Sequence, residues 1–132
     1  MIRGFTCGVF DLFHAGHAMM LKECKENCDY LVIGLNKGEN LPSNKNKPIY
    51  TYKERKIILE SSMYVDEVIG YNSENDLTKI LKKEKFDVRF LGDDYNTKKI
   101  TSPNLSKAIY FVNRDHGFSS SRVRDLIIDS LK

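Results

Sequence analysis

Two histidines flank a glycine in the segment His14-Ala15-Gly16-His17, at the junction between a strand-like run and a helix-like pattern. Glycine lets an anion approach the backbone, the amides at a helix start point toward that anion, and two imidazoles can donate hydrogen bonds to it. This combination of residue types therefore suits a phosphate. The alternatives are a zinc half-site or two solvent-facing loop histidines, but neither a cysteine nor a third histidine lies close enough in the sequence to favour zinc.

A second segment of similar chemistry extends from Arg114 to Ser121 and again separates a strand-like run from a helix-like pattern. It contains an arginine, whose fork matches phosphate oxygens, and three consecutive serines at a helix start, where free amides bind anions. An ordinary serine cap is the alternative interpretation. We expect both segments at the same edge of one sheet, which favours joint binding of a nucleotide's phosphates.

Strand-like and helix-like segments alternate along the chain that carries these residues. The apolar pattern predicts strands at 2–9, 30–35, 67–71, 87–91 and 108–112, and helices at 18–28, 51–63, 75–85 and 121–131. The alternation predicts an α/β fold, with a doubly wound, parallel five-stranded sheet in a single domain spanning residues 1–132. The ligand crevice of such a sheet lies at the carboxyl ends of its strands.

Local signals refine the expected helices. Thr51 and Glu54 have the spacing of a capping box, so a helix should begin there. Cys24 and Cys28 lie one helical turn apart and are expected to pack in the core rather than to bind metal or to serve redox chemistry. The last helix is expected to bury a stripe formed by Val123, Leu126, Ile127 and Leu131.

Composition narrows the class of protein. The 132 residues carry 21 basic and 18 acidic side chains, a net charge of +3, without a basic stripe interleaved with aromatics, which argues against nucleic-acid binding. No apolar run approaches the roughly 20 residues of a membrane span, and no targeting segment precedes the first strand. Three cysteines form no paired framework, so a reducing, cytoplasmic location is expected.

Four motifs, in order, resemble the cytidylyltransferase family, and most of all its bacterial glycerol-3-phosphate cytidylyltransferases. They are Gly8–His17 (GVFDLFHAGH), Tyr64–Ile69 (YVDEVI), Gly92-Asp93-Asp94 and Gly117–Ser121 (GFSSS). The resemblance covers nearly the whole chain. It implies a Rossmann-like fold, CTP as the nucleotide, dependence on Mg²⁺ or another divalent metal, and a homodimer.

The resemblance also implies roles for individual residues. His14 and His17 would stabilise the α-phosphate, Lys45 and Lys47 would screen the acceptor and the departing pyrophosphate, and Asp11 would contact the metal. Arg55 is a weaker candidate for the acceptor. The nucleotide would be bound by Val9, Phe10, Asp11, His14, Gly16, His17, Asp94, Arg114, Gly117, Phe118, Ser119, Ser120 and Ser121. Two interpretations are open for Asp66 and Asp94: binding of metal, ribose or base, and capping of local turns.

The expected reaction is transfer of CMP from CTP to a small phosphorylated alcohol, with glycerol 3-phosphate as the first choice, giving a CDP-alcohol and pyrophosphate. Two departures from the family pattern concern the acceptor. Met63 occupies a position where the glycerol-phosphate members carry arginine, and Lys45 and Lys47 are displaced by one position. The alternatives are an amino-alcohol phosphate as acceptor, an adenylyltransferase acting on a sugar phosphate or flavin mononucleotide, and a catalytically silent nucleotide sensor.

Overall fold

Strands and helices alternate in the structure, a computed structural model that describes residues 1–41, 46–92, 100, 102–113 and 116–132. The strands are β1 (Arg3–Gly8), β2 (Tyr30–Asn36), β3 (Glu67–Tyr71), β4 (Val88–Gly92) and β5 (Ala108–Val112). The helices are α1 (Ala15–Glu26), α2 (Tyr52–Glu60), α3 (Glu74–Glu84) and α4 (Ser120–Ser130), and a short 3-10 turn spans Pro103–Leu105. The expected order of elements is confirmed.

The five strands form one sheet in the order β3-β2-β1-β4-β5, and every pairing is parallel. The α/β, doubly wound fold predicted from the sequence is therefore correct. The strand order reverses beside β1, because β2 follows on one side and β4 on the other. Ligand crevices of doubly wound sheets lie at this switch point, outside the carboxyl ends of the strands.

Helices cover both faces of the sheet. On one face, Leu21 of α1 and Leu59 of α2 pack with Leu31, Ile33 and Leu35 of β2. On the other face, Leu77 and Leu81 of α3 pack with Phe5, Val32 and Phe86, and the rings of the two phenylalanines stack with centroids 4.6 Å apart. Because β2 is buried on both faces, its sequence is apolar at almost every position.

Cys24 is fully buried in the core on α1, and Cys28 packs against the same cluster, as expected. All three thiols are free. Within the ranges that the structure describes, no helix combines the length and apolar character needed to cross a bilayer.

Side-chain caps set where the helices begin. Thr51 and Glu54 form the predicted capping box of α2. His14 caps α1, because its imidazole accepts from the Gly16 amide while His17 accepts from the His14 amide. This histidine capping box starts α1 three residues earlier than the apolar pattern indicated.

The predicted burial of α4 is wrong. Leu126 is 52% exposed, Ile127 is 51% exposed and Leu131 is 83% exposed, while Val123 is only partly buried. Helix α4 is attached near its start, where Ser120 and Arg124 bond to Asp11, and every residue from 125 to 132 is exposed. The apolar stripe therefore extends beyond the sheet instead of packing on it.

Candidate active site

The loop between β1 and α1 holds two non-glycine residues in the left-handed backbone region. Phe10 has φ 53° and Leu12 has φ 50°. Each such conformation costs about 1 kcal/mol or more, so it persists only where the surroundings impose it. Both side chains are almost fully buried, which fixes the loop. Asp11 lies between them, and its orientation is consequently fixed as well.

Asp11 connects three parts of the chain at this loop. Its carboxylate accepts from the amides of Ile49 and Tyr50 at 2.7 and 2.9 Å and from the Arg124 guanidinium at 3.0 Å. Its main-chain carbonyl accepts from the Ser120 hydroxyl at 2.8 Å. The loop after β1, the segment before α2 and the start of α4 are therefore held together by one residue that is only 5% exposed.

These contacts leave Asp11 poorly suited to bind a metal ion by itself. Three hydrogen bonds, one of them from a cation, already neutralise its carboxylate, and a second cation beside Arg124 would be repelled. Across the described ranges, no group of three or more His, Cys, Asp or Glu side chains has the arrangement of a metal site. The described residues therefore do not form a protein-based site for the implied metal.

The imidazoles of His14 and His17 stack on each other with ring centroids 3.8 Å apart. In each ring Nδ1 accepts from a backbone amide: Gly16 donates to His14 at 3.0 Å, and the His14 amide donates to His17 at 3.3 Å. An imidazole whose Nδ1 accepts must carry its hydrogen on Nε2. The loop therefore fixes both rings in the tautomer that presents an Nε2–H donor.

Gly16 lies where the two predicted phosphate-binding segments meet. A Cβ placed on Gly16 would be 2.9 Å from Cε1 of His14 and 2.9 Å from Cε1 of His116. A side chain at this position would displace both rings, so glycine is needed for the close approach. The predicted convergence of the histidine loop and the segment before α4 is present in the structure.

A cleft of about 470 Å³ opens at this edge of the sheet, within the size range of small-molecule sites. The predicted nucleotide-binding residues that line it are Val9, Phe10, Asp11, His14, Gly16, His17, Phe118, Ser119, Ser120 and Ser121. Gly117 does not line the cleft; it forms the turn before α4, with φ 76°. Two serine hydroxyls make contacts within the fold: the Ser119 oxygen accepts from the Arg122 amide, and the Ser120 hydroxyl donates to the Asp11 carbonyl.

Cys7 also lines the cleft but does not supply a nucleophile. Burial is the main reason that the pKa of its thiol is raised, and the hydrogen bond with Tyr71 only partly offsets this effect. A thiol with a raised pKa remains protonated at neutral pH and is a poor nucleophile. The cleft is accordingly equipped with hydrogen-bond donors rather than with an activated side chain.

Lys47 and Arg55 lie outside this cleft, along a neighbouring groove of about 600 Å³. Lys47 is exposed. Arg55, expected as an acceptor ligand, is only 1% exposed, and its guanidinium donates to four main-chain carbonyls, those of Val9, Asn36, Lys37 and Tyr50. Its observed role is to join the carboxyl ends of β1 and β2 to the segment before α2.

Three predicted site residues, Lys45, Asp94 and Arg114, fall outside the described residues. Asp66 is described and lies away from the cleft, at the amino ends of β2 and β3. Its carboxylate accepts from the Lys25 ammonium at 2.5 Å and from the Leu31 amide at 2.7 Å. Asp66 therefore joins β3 to α1 and β2 through partners that are 41 and 35 residues away, which differs from the expected capping of a local turn.

The cleft residues that were not predicted from the sequence include His116 and Arg124. His116 lies inside the segment from Arg114 to Ser121, whose predicted phosphate binding depended on its arginine and serines. Arg124 gave no signal, because an arginine in the first turns of a helix is common at protein surfaces. Only its bond to Asp11, 113 residues earlier in the chain, assigns it to the site.

Comparisons with known proteins give a consistent result. A family model described as cytidylyltransferase-like matches residues 5–126. Glycerol-3-phosphate cytidylyltransferase of Bacillus subtilis is 32% identical over 127 residues, covering 96% of this chain and 98% of that protein. The bifunctional protein HldE of Helicobacter pylori strain J99 is 32% identical over 125 residues, and the match spans only 27% of its length.

Solved structures agree with the fold. The lipopolysaccharide core biosynthesis protein from Thermoplasma volcanium has a TM-score of 0.64 at 26% identity, covering 98% of this chain and 88% of that one. A putative nicotinate-nucleotide adenylyltransferase from Vibrio parahaemolyticus also has a TM-score of 0.64, at 13% identity, covering 98% of this chain and 89% of that one. At that level of identity, the second match supports the fold alone.

Proposed function

Because the chain belongs to the cytidylyltransferase-like family of nucleotidyltransferases, we propose that it transfers CMP from CTP to the phosphate of glycerol 3-phosphate, releasing pyrophosphate and CDP-glycerol. The observation that carries this proposal is the stacked pair His14 and His17, each fixed as an Nε2–H donor in one cleft. Two aligned donors suit an α-phosphate on which negative charge builds during the reaction.

The nucleophile in this reaction is an oxygen of the acceptor's own phosphate, which is already ionised at neutral pH. It forms a bond to the α-phosphorus while the bond from that phosphorus to the bridging oxygen breaks, and pyrophosphate leaves with the electron pair. No proton has to be removed to create the nucleophile. Catalysis therefore depends on alignment and on charge stabilisation, for which the histidine pair is suited.

The remaining charge would be neutralised by cations around the cleft. Arg114 is proposed to bind the outer phosphates, and Lys45 and Lys47 to screen the acceptor and the pyrophosphate. Mg²⁺ or another divalent ion, as the resemblance implies, is proposed to neutralise phosphate charge when bound. Such an ion commonly reaches a site through substrate phosphates and retained waters rather than through a protein cage, which agrees with the ligand-poor surroundings of Asp11.

The acceptor is proposed from the full-length similarity to the Bacillus enzyme. The arginine expected at position 63 is replaced by Met63, which is 84% exposed and lines neither the cleft nor the neighbouring groove. Met63 therefore supplies no acceptor ligand in the single chain, and the competing proposals are an amino-alcohol phosphate as acceptor and an adenylyltransferase reaction on a sugar phosphate or flavin mononucleotide. A CDP-activated polyol formed in the cytoplasm would supply cell-envelope or capsule polymer synthesis.

We also propose a homodimer in which α4 packs against α4 of a second copy. Leu126, Ile127 and Ile128 are each more than half exposed, and a partner helix would cover them. Arg122 lies near the start of α4 and Asp129 near its end. Two copies packed antiparallel would place these opposite charges beside each other, which favours that orientation.

The test is a pyrophosphate-release assay with CTP or ATP, each combined with glycerol 3-phosphate, an amino-alcohol phosphate, a sugar phosphate and flavin mononucleotide. Mass spectrometry identifies the product, and His14→Asn serves as the matched inactive control. CTP with glycerol 3-phosphate should give CDP-glycerol at the highest kcat/KM. A preference for ATP would overturn the nucleotide assignment, and a preference for another acceptor would overturn glycerol 3-phosphate. CTP binding with no turnover on any acceptor would indicate a nucleotide sensor.

A further inference from the structure

His116 is a third imidazole in the cleft, contributed by the opposite segment. Its Cε1 and that of His14 are each 2.9 Å from the same point, the Cβ position of Gly16. The two ring edges therefore lie close together above the glycine. His116 also stacks on Phe118, with centroids 5.4 Å apart, and Phe118 packs against the Arg122 guanidinium.

The tautomer of His116 is fixed in the same way as that of the other two histidines. Its Nδ1 accepts from the Phe118 amide at 3.0 Å. The ring hydrogen is therefore on Nε2, and this atom can donate. All three imidazoles of the cleft have the same hydrogen-bonding arrangement. In each, a backbone amide two or three positions away along the chain donates to Nδ1, and Nε2 is the donor.

Three neighbouring polar side chains make contacts within the fold. The Ser119 hydroxyl caps α4, the Ser120 hydroxyl donates to the Asp11 carbonyl, and Arg124 is paired with the Asp11 carboxylate. The Nε2–H of His116 therefore adds a donor to those that the Ser119 hydroxyl and the other N–H groups of Arg124 retain. His116 lies beside His14 and lines the same cleft as the start of α4.

We propose that His116 is a further phosphate ligand, which donates from Nε2 to the β- or γ-phosphate of the bound nucleoside triphosphate and thereby favours triphosphate over monophosphate. This inference rests on the proposed function, because it assumes that the α-phosphate binds at His14 and His17. His116 thereby takes part of the phosphate-binding role that was predicted from the sequence for the serine hydroxyls.

Two substitutions separate this role from a purely structural one. Asparagine at position 116 keeps an acceptor for the Phe118 amide, in the manner of an Asx-turn, but lacks a donor at the Nε2 position. Glutamine at position 116 reaches the Nε2 position with its amide nitrogen but loses the bond to Phe118. His116→Asn and His116→Gln therefore remove the two functions of the ring one at a time.

The experiment is calorimetric titration of the full chain and both variants with CTP, CMP and inorganic tripolyphosphate, with initial rates measured in parallel. His116→Asn should weaken CTP and tripolyphosphate binding about tenfold, the loss expected for one charge-assisted hydrogen bond, and leave CMP affinity unchanged. His116→Gln should bind CTP within about threefold of the parent, because the donor is retained.

The opposite pattern would overturn the inference: His116→Asn binding CTP like the parent, or His116→Gln losing as much as His116→Asn. Equal weakening of CTP and CMP would also overturn it, because that result indicates general damage to the pocket. If the parent releases no pyrophosphate with any acceptor, the proposed function fails. The ratio of CTP to CMP affinity still decides the role of His116 in that case.

Discussion

The carboxylate of Asp11 accepts a charge-assisted hydrogen bond from Arg124 at 3.0 Å, across 113 residues of sequence. The same carboxylate binds the amides of Ile49 and Tyr50. The loop that carries the histidine pair is thereby attached to the segment before α2 and to α4. Asp11 holds together the walls of the cleft, and its substitution should affect stability and activity at once.

Replacing Asp11 by Asn should lower the free energy of unfolding by about 3 kcal/mol, because Arg124 and two amides lose a buried anionic partner. Urea denaturation measures this loss. The loss should be the same in EDTA and in Mg²⁺ if Asp11 acts through Arg124. A loss seen only in Mg²⁺ would instead support the metal contact implied by the resemblance. Arg124→Gln in a double-mutant cycle with Asp11→Asn should show a coupling well above zero.

Replacing either His14 or His17 by Ala should lower kcat by roughly two to three orders of magnitude, since each removes a donor to the α-phosphate. His14 also caps α1, so His14→Ala should cost about 1 kcal/mol of stability as well. His14→Asn retains a good N-cap residue without the Nε2 donor. It should therefore lose activity but keep the parent's unfolding midpoint. Near-normal turnover in any of these variants would remove that histidine from the mechanism.

Gly16→Ala should separate activity from stability. The new Cβ would lie 2.9 Å from Cε1 of His14 and 2.9 Å from Cε1 of His116, so both rings must move. Alanine favours the first turn of α1 over glycine by up to about 1 kcal/mol, and a weakened His14 cap costs a similar amount, so the unfolding midpoint should change little. We expect kcat/KM to fall by about a hundredfold, because displacement of donors in an active site by about 1 Å is enough for such a loss. Parent-like kcat/KM would show that the rings need not hold these positions.

Asp66 should make stability depend on acid pH. Burial alone would raise the pKa of Asp66, but the hydrogen bonds from Lys25 and the Leu31 amide hold that pKa below its ordinary value of 3.8. The stabilisation is therefore complete above pH 3.8 and is lost as the pH falls through the lower folded-state pKa. Asp66→Asn should lower the urea midpoint at pH 7 and lessen its decline toward pH 2.

The control for Asp66 is Lys132→Gln, at an exposed residue that pairs with Asp129 in the last turn of the chain. Exposed pairs contribute little, so its urea midpoints should match those of the parent at each pH. An unchanged acid profile in Asp66→Asn would show that its bond to Lys25 does not stabilise the folded state.

Ile127→Lys should weaken the proposed homodimer. Ile127 is half exposed in the single chain, so lysine at this position should leave the fold intact. In the dimer the lysine charge would be buried, and the dissociation constant should rise tenfold or more, which corresponds to a loss of about 1.4 kcal/mol or more in binding free energy. Sedimentation velocity measures the change. Ile57→Lys, on the exposed face of α2 with 56% exposure, is the matched control and should have no effect. A monomeric parent, or equal effects of the two substitutions, would contradict the α4 interface.

The sequence by itself determined the order of the elements, because periodicity and capping are local properties. The nearly continuous apolar character of residues 30–35 predicted a buried strand, and the capping-box spacing of Thr51 and Glu54 predicted the start of a helix. It also located the histidine loop and the segment before α4, since each lies between a strand and a helix. Parallel strands bring such junctions to one edge by geometry alone.

Tertiary structure decided how individual polar groups are used. The Asp11 carboxylate pairs with the Arg124 guanidinium 113 residues away, and Arg55 donates to four carbonyls, three of which are 18 or more residues away. The exposure of α4 also depends on distant parts of the chain. An apolar stripe indicates that a helix face can be buried, but it does not identify the surface that would cover that face. Side-chain type is a local property, whereas hydrogen-bond partners and burial are set by which distant segments the fold brings together.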